Sequence, residues 1–341
     1  MKKIVIDRNI PFLEGVLEPW FEVVYADRID AALARDAVAL LIRTRTRCDA
    51  ALLDGSRVRF IGTATIGFDH IDMDYCRAHG IEVATAAGCN ARAVMQYMAS
   101  ALVHLSRERG WQPQEKTLGI VGVGHVGSLV AQLGRDCCFR VVCCDPPEMR
   151  RDPALGYIPF GELAAQADII SFHVPLNRTG IDRTLNIADA SFFEKIKPGA
   201  TFINTSRGET VDEKALKTAI RSGKLSDVVL DVWDREPAID PELAGMVTYG
   251  TPHIAGYSLQ GKANGSSMVV RALARKYDLP LKTWYPEGVP PQVTDRPVSW
   301  PMLQETIDRY CDIAAEDARL RGHTDRFEAL RNNYMYREEY F

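Results

Sequence analysis

Three short stretches carry side chains that together could run a proton-coupled hydride transfer. They are NTSRG at 204–208, LDVWDREP at 230–237 and GTPHIAGYS at 250–258, and they supply Arg207, Glu236 and His253. Oxidising an alcohol removes a hydride from carbon and a proton from oxygen, and an imidazole is a suitable base for that proton near neutral pH. A carboxylate beside the imidazole fixes its tautomer and stabilises the imidazolium that forms. An arginine fork can hold a substrate carboxylate bidentately and polarise the oxygen on the neighbouring carbon. A 2-hydroxy acid is therefore the substrate type that suits the set. The other histidines weigh less. His79, His104, His125 and His323 have no accompanying catalytic signal, and His70 and His173 lie at strand ends where local hydrogen bonds are expected.

These residues need elements that converge. Each stretch follows an apolar run: ATFINTS at 200–206, DVVLDVW at 227–233 and MVTYG at 246–250. In an open parallel sheet the carboxyl ends of such strands form the ligand-binding edge. Upstream lies Thr117–Asp145, TLGIVGVGHVGSLVAQLGRDCCFRVVCCD, where an apolar strand turns on Gly122, Gly124 and Gly127 into a helical segment, Val126–Leu133. That is a G-x-G-x-x-G fingerprint in the context that makes it a dinucleotide site. The first glycine makes the tight turn, the second admits the pyrophosphate, and the third lets the helix approach the strand. The helix start then faces the phosphates with unpaired N–H groups. His125 and Val126 belong to the same turn. Asp145, 18 positions after the last glycine, would accept hydrogen bonds from the ribose hydroxyls and repel a 2′-phosphate, favouring NAD over NADP.

The remaining chain alternates strand and helix signals. KKIVIDRN, FEVVYA, AVALLIRTR, VRFIGTATIG and IEVATA read as strands of a first doubly wound unit. Ala91–Arg109, Asp212–Ser222 and Leu259–Tyr277 read as helices, with the last carrying the chain back to the first unit. Residues 146–159, with four prolines, read as a loop, and LKTWYP as extended. Residues 301–320 read as one amphipathic helix before a tail dense in aromatics and arginines. The expected fold class is α/β, with two doubly wound parallel-sheet domains: a Rossmann NAD domain inserted in a flavodoxin-like substrate domain, plus a small C-terminal α+β segment. The expected limits are 1–92 with 258–280 for the substrate domain, 93–257 for the NAD domain and 281–341 for the C-terminal segment.

Composition is ordinary for a globular chain, with 46% hydrophobic and 25% charged residues. A net charge of −4 offers no electrostatic case for nucleic acid or an anionic membrane as partner. The start, MKKIVIDRNI, reaches Asp7 after too short an apolar run for a secretory leader, and a cytoplasmic location is expected. The eight cysteines include vicinal pairs at 137–138 and 143–144 but no C-x-x-C spacing, so free thiols and no metal site are expected.

The chain resembles the D-isomer-specific 2-hydroxy acid dehydrogenases, through GIVGVGHVG, NTSRGETVDEKAL, LDVWDREP and TPHIAGYS. IRTRT (42–46), GTATIGFDHID (62–72), AAGCNARAV (86–94), CCDPPEMR, TPHIAGYSLQGKANG (251–265) and the tail RFEALRNNYMYREEYF resemble a branch of that family that acts on a phosphorylated four-carbon 2-hydroxy acid. The resemblance implies that Arg207 is the catalytic arginine, Glu236 the carboxylate partner and His253 the proton acceptor. It implies cofactor contacts from Asp145, Val174, Thr205, Ser206, Arg207, Asp231 (near the nicotinamide end) and Gly256. Substrate contacts would come from Tyr257, Thr65 and Thr44, the last standing where a serine is often found. It also implies a homodimer joined through the C-terminal segment. A phosphate adds charge close to −2. Arg43, Arg45 and Arg47 would point to one side if their strand continued, so Arg43 and Arg45 are candidate phosphate contacts. Two other readings stand beside this one: another D-2-hydroxy acid substrate, such as 3-phosphoglycerate, hydroxypyruvate or glyoxylate, and a non-catalytic NAD-sensing protein.

Overall fold

A computed structural model describes all residues except Thr294, Asp295 and Pro297. The chain divides into two compact units, Met1–Asn90 with Ser258–Gln292 and Ala91–Tyr257 with Val293–Phe341. Two parallel-sheet α/β units are thus present, one interrupting the other in sequence.

The first unit holds β1 (Lys2–Asp7), β2 (Phe21–Ala26), β3 (Ala37–Ile42), β4 (Phe60–Thr63) and β5 (Glu82–Thr85). They form one parallel sheet in the order β2-β1-β3-β4-β5. Its strands are nearly continuous apolar runs because both faces of a parallel sheet are covered; Val5, Ile6, Leu40, Leu41 and Ile42 are fully buried. Asp30, Asp49 and Asp72 cap the short helices between strands by accepting backbone N–H groups at their starts. The helix Leu259–Tyr277 returns to this unit and buries Val269, Val270 and Leu273 in its core. One expectation fails here. β3 ends at Ile42, and Thr46 N–H closes a turn on the Arg43 carbonyl at 3.2 Å. Arg43, Arg45 and Arg47 therefore do not form one side of an extended strand.

The second unit holds β6 (Thr117–Val121), β7 (Arg140–Cys144), β8 (Ile169–Phe172), β9 (Ala200–Asn204), β10 (Leu225–Leu230) and β11 (Tyr249–Gly250). All pair in parallel, in the order β11-β10-β9-β8-β6-β7. The chain runs outward from β6 to β7 and then crosses to β8 on the other side, so the switch point lies at the carboxyl ends of β6 and β8. Helices Ala91–Arg109 and His125–Asp136 share one apolar core on a face of this sheet.

Four further expectations are corrected. Residues 146–159 are not all loop. Asp145 caps a helix, Pro146–Arg151, whose prolines occupy the first positions, where no N–H is needed. The 301–320 helix is broken into Trp300–Thr306 and Ile313–Leu320, joined through the tight turn Ile307–Arg309, with Asp312 capping the second piece. LKTWYP begins as a turn, Trp284 N–H on the Leu281 carbonyl, rather than as an extended run. Trp300, Leu303, Ile307, Cys311, Ile313 and Phe341 enter the same core as Trp111 and Phe139. Among the described residues this C-terminal segment holds helices and no strand longer than a bridge residue, so its expected mixed α and β character reduces to helix.

Seven of the cysteines are buried free thiols and Cys138 is exposed. Among the described residues no helix is long and apolar enough to cross a membrane, and no group of three or more His, Cys, Asp or Glu is placed to hold a metal.

Candidate active site

The glycine turn after β6 has the geometry its sequence demands. Gly122 has φ +85°, and a Cβ there would meet the His173 carbonyl oxygen at 2.6 Å. A Cβ on Gly127 would lie 1.9 Å from the Gly122 carbonyl oxygen, which is how closely helix His125–Asp136 approaches the strand end. Gly124 caps that helix and would direct a Cβ into open space. Backbone N–H groups of His125 and Val126 at a helix start are suited to a pyrophosphate. Asp145 closes the arrangement, accepting Val123 N–H at 2.8 Å on one oxygen and Glu148 N–H at 3.2 Å on the other. A carboxylate has about four acceptor positions, so it keeps capacity for ribose hydroxyls. A cleft of about 230 Å³ lies here, lined by Gly122, Gly124, Asp145, Pro146, His173 and Val174 among others. His173 makes the local hydrogen bonds expected of it, Nε2 with Ser171 Oγ at 3.0 Å and Nδ1 with Thr205 Oγ1 at 3.3 Å. Burial pushes its imidazole down to about 3, so this wall of the cleft is uncharged.

The three chemical stretches converge at the ends of β9, β10 and β11. Asn204, fully buried, clamps the first: its side-chain oxygen accepts from Ser206 N–H and Oγ, and its amide donates to the Arg207 carbonyl at 2.9 Å. Arg207 projects from that turn, donating one N–H to the Ser206 carbonyl at 2.7 Å. A Cβ on Gly208 would lie 1.9 Å from the Trp233 carbonyl carbon, so the NTSRG and DVWDREP loops touch backbone to backbone. Trp233, 2% exposed, donates its indole N–H to the Thr251 carbonyl at 2.9 Å and so ties the second loop to the third.

The pair the sequence implied is present. His253 Nδ1 lies 2.7 Å from Glu236 Oε2, and Glu236 Oε1 accepts Trp233 N–H at 3.0 Å. Burial works against the Glu236 carboxylate ion. The charge and hydrogen bond of His253, the Arg331 guanidinium and the Trp233 N–H outweigh it and hold the group below its ordinary range. With an ionised Glu236 as acceptor, Nδ1 carries the proton of this contact, and Nε2 is the ring nitrogen that Glu236 does not engage. His253 has φ +58°, as does Arg235, the residue before Glu236, so His253 and the neighbour of its partner occupy left-handed backbone that non-glycine residues seldom adopt. Asp231 explains how that conformation is held. It is 1% exposed, and its carboxylate accepts Thr251 Oγ1 at 2.7 Å, Ile254 N–H at 2.7 Å and Ala255 N–H at 2.9 Å. Burial pushes its pKa up. As placed, the oxygens of Asp231 organise the loop of His253 rather than face outward. Gly256 follows in that loop, half-buried, and Tyr257 Oη accepts Arg331 Nε at 3.1 Å.

The first-unit candidates lie at the carboxyl ends of β3 and β4. Arg43 Nε bonds Asp7 Oδ2 at 3.1 Å, a side chain only 4% exposed, and Arg47 pairs with Asp49 at 2.7 Å. Thr44 and Arg45 are exposed in the turn after β3. The Thr65 hydroxyl meets Thr63 Oγ1 at 2.7 Å, and His70 Nε2 lies 3.2 Å from that same oxygen. Asn204, Arg331 and Arg337 were not among the expected site residues. The tail's density of arginines was visible in sequence, but its destination was not.

Residues 82–255 match the family described as D-isomer specific 2-hydroxyacid dehydrogenase, NAD binding domain. The chain is 44% identical over 340 residues to erythronate-4-phosphate dehydrogenase of Bacteroides fragilis, covering 99% of this chain and 97% of that one. It is 39% identical over 348 residues to the enzyme of that name from Cronobacter sakazakii, covering 99% and 92%. Among solved structures, D-lactate dehydrogenase of Aquifex aeolicus with NAD and lactic acid superposes with a TM-score of 0.67 at 25% identity, covering 84% of this chain and all of the other. The fingerprint turn, the Arg207, Glu236 and His253 stretches and these matches lead to one conclusion: the chain belongs to the D-isomer-specific 2-hydroxyacid dehydrogenases and is an NAD-dependent enzyme of that family.

Proposed function

We propose that the protein oxidises 4-phospho-D-erythronate at C2 to (R)-3-hydroxy-2-oxo-4-phosphooxybutanoate, a step toward pyridoxal 5′-phosphate. The observation that carries the chemistry is the 2.7 Å His253–Glu236 pair, set in the unit that also bears the dinucleotide turn. The substrate assignment draws its support from the relatives' shared name at 38–44% identity over nearly the whole chain. NAD, when bound, supplies the hydride acceptor. His253 Nε2 takes the C2 hydroxyl proton, Glu236 stabilises the imidazolium, and Arg207 holds the substrate carboxylate and polarises the C2 oxygen. Gly122, Gly124, His125, Val126, Gly127 and Asp145 hold the adenosine and pyrophosphate end, with Val174, Thr205, Ser206 and Gly256 toward the nicotinamide and Asp231 acting there through the loop it holds. Thr44, Thr65, Arg45 and Tyr257 serve the substrate; the Arg43 ion pair with buried Asp7 makes Arg43 the weaker phosphate candidate. The enzyme acts in the cytoplasm as a homodimer. Met335, 87% exposed, and Tyr336 supply apolar surface in the tail for that contact.

The test is NADH formation by purified protein with 4-phospho-D-erythronate, 3-phosphoglycerate, glycerate and D-lactate, together with His253→Ala. Turnover should be fastest with the four-carbon phosphate, and His253→Ala should lose roughly 10²–10⁴-fold. Preference for a three-carbon acid would move the substrate within the family. NADH binding without turnover of any acid would leave the sensor reading, and near-normal turnover by His253→Ala would refute the base.

A further inference from the structure

Two arginines of the C-terminal segment end on the loop that carries His253. Arg331, on the helix Phe327–Asn332, donates Nε to Tyr257 Oη at 3.1 Å, and its Nη1 reaches Glu236 Oε2 at 3.4 Å. That is the same oxygen that receives His253 Nδ1 at 2.7 Å. Arg337, half-buried, donates to the carbonyls of Ile254 at 3.1 Å, Tyr257 at 3.0 Å, Ala93 at 2.9 Å and Ala255. Tyr334 and Tyr336 pack edge-on against the Tyr257 ring. The segment is thus more than a cover over an apolar core.

We propose that Arg331 is a positioning residue for the acid–base pair. It shares Glu236 Oε2 with His253, and so limits how much of the carboxylate's charge the imidazolium receives. This rests on reading His253 and Glu236 as the acid–base pair. The side chains of Arg331 and Glu236 are 27% and 17% exposed, so their attraction is screened less than that of a surface pair. With His253 and the Trp233 N–H, the guanidinium helps to hold Glu236 ionised despite its burial, and it is a like charge beside any imidazolium formed there. Oxidation requires His253 to lose each proton it accepts, and the third charge keeps that proton from being held. The other charged groups facing the pair do not duplicate this role. Asp231 spends its carboxylate on the Thr251 hydroxyl and the Ile254 and Ala255 N–H groups. Arg337 lies on loop carbonyls, Arg235 pairs with Asp234 at 3.6 Å, and Arg207 belongs to the loop across Gly208.

The experiment measures kcat/KM against pH, in both directions, for the full-length chain and for Arg331→Met, Arg331→Gln and Arg331→Lys. NADH fluorescence and thermal melting monitor cofactor binding and folding. Removing the charge should move the low-pH limb of oxidation upward by about one unit, because one neighbouring charge is worth about that. Keto-acid reduction should then persist to higher pH, NADH affinity should not change, and Arg331→Lys should restore most of the limb. A limb that stays in place, whether or not the rate falls, would overturn the proposal and leave Arg331 as a tether of the tail. If Arg331→Met does not fold, the comparison of Gln with Lys decides by the same criterion. His253→Ala separates the two levels: an active variant refutes the pair itself, whereas an inactive one with an unmoved Arg331→Gln limb refutes only the role of Arg331.

Discussion

Gly208→Ala tests whether the site depends on loops in direct backbone contact. The added Cβ would sit 1.9 Å from the Trp233 carbonyl carbon, 2.1 Å from its oxygen and 2.4 Å from Asp234 N. Non-bonded carbons rest about 3.5–4.0 Å apart, so one loop must withdraw by about 1.5 Å. All three obstructing atoms are backbone, and no flexible side chain can yield instead. Overpacking of this kind costs about 1–3 kcal/mol. A domain stable by roughly 5–15 kcal/mol survives that, with a melting temperature lower by about 2–4 °C per kcal/mol. The catalytic consequence is larger. The withdrawal separates Arg207, one residue away, from Glu236 and His253, and a displacement of about 1 Å typically costs roughly 10²-fold in rate. The assay is kcat for NADH formation beside NADH affinity by fluorescence titration. The fingerprint turn is a separate loop, whereas Thr205 and Ser206 of the displaced loop lie toward the nicotinamide, so kcat should fall about a hundredfold and NADH affinity by much less. A folded Gly208→Ala enzyme with near-normal kcat would refute the reasoning, as would a loss of affinity that matches the loss of turnover.

Three further outcomes are expected. Asp145→Asn keeps a capping side chain for the helix Pro146–Arg151 but removes the charge that opposes a 2′-phosphate. The ratio of kcat/KM for NADP to that for NAD should therefore rise, and an unchanged ratio would dismiss Asp145 as the discriminator. Burial works against the Asp168 carboxylate, but Lys197 at 2.5 Å and Thr117 N–H outweigh it and hold the group below its usual 3.8. Its stabilisation is therefore present above that value and lost as pH falls through the lower folded one. Asp168→Asn should melt earlier than wild type at about pH 7 and close to it at about pH 3, and a gap that widens in acid would contradict this. Cys138 is the exposed thiol, whereas burial pushes Cys48, Cys137 and Cys144 up to about 12. A thiol reagent should label one cysteine of the native protein quickly and all eight after unfolding, with rapid native labelling of several as the contrary result.

Where the sequence reading erred, a local signal was ambiguous. Four prolines in 146–159 read as loop, yet proline is excluded only from helix interiors, and Pro146 and Pro147 occupy a helix start behind the Asp145 cap. Residues 301–320 keep an apolar stripe, but Asp312 is a better cap than a helix-interior residue and begins a second helix. The arginines of IRTRT alternate as a strand would, yet the buried carboxylate of Asp7 draws Arg43 back and the chain turns. In each case a cap or an ion pair a few residues or a whole strand away decided between two conformations that the local pattern allowed.

Both parallel sheets, the long helices Ala91–Arg109 and Leu259–Tyr277 and the dinucleotide turn were all legible in the chain itself. The reason is physical: apolar runs and periodicities are encoded in adjacent residues, and Gly122 and Gly127 are required by a φ and a 1.9 Å approach that no other residue permits. Arg207, Glu236 and His253 were legible as types, since the chemistry restricts which groups can serve. How they are held was not. Asp231 organises the His253 loop from 20–24 residues away, and Arg331 meets Glu236 across 95. Contacts at that separation leave no periodic trace along the chain, because any carboxylate or guanidinium reads alike until folding places it against a partner. The Arg337 bonds to the loop carbonyls and the Gly208 contact with Trp233 likewise exist only once the C-terminal segment and three strand ends have packed together.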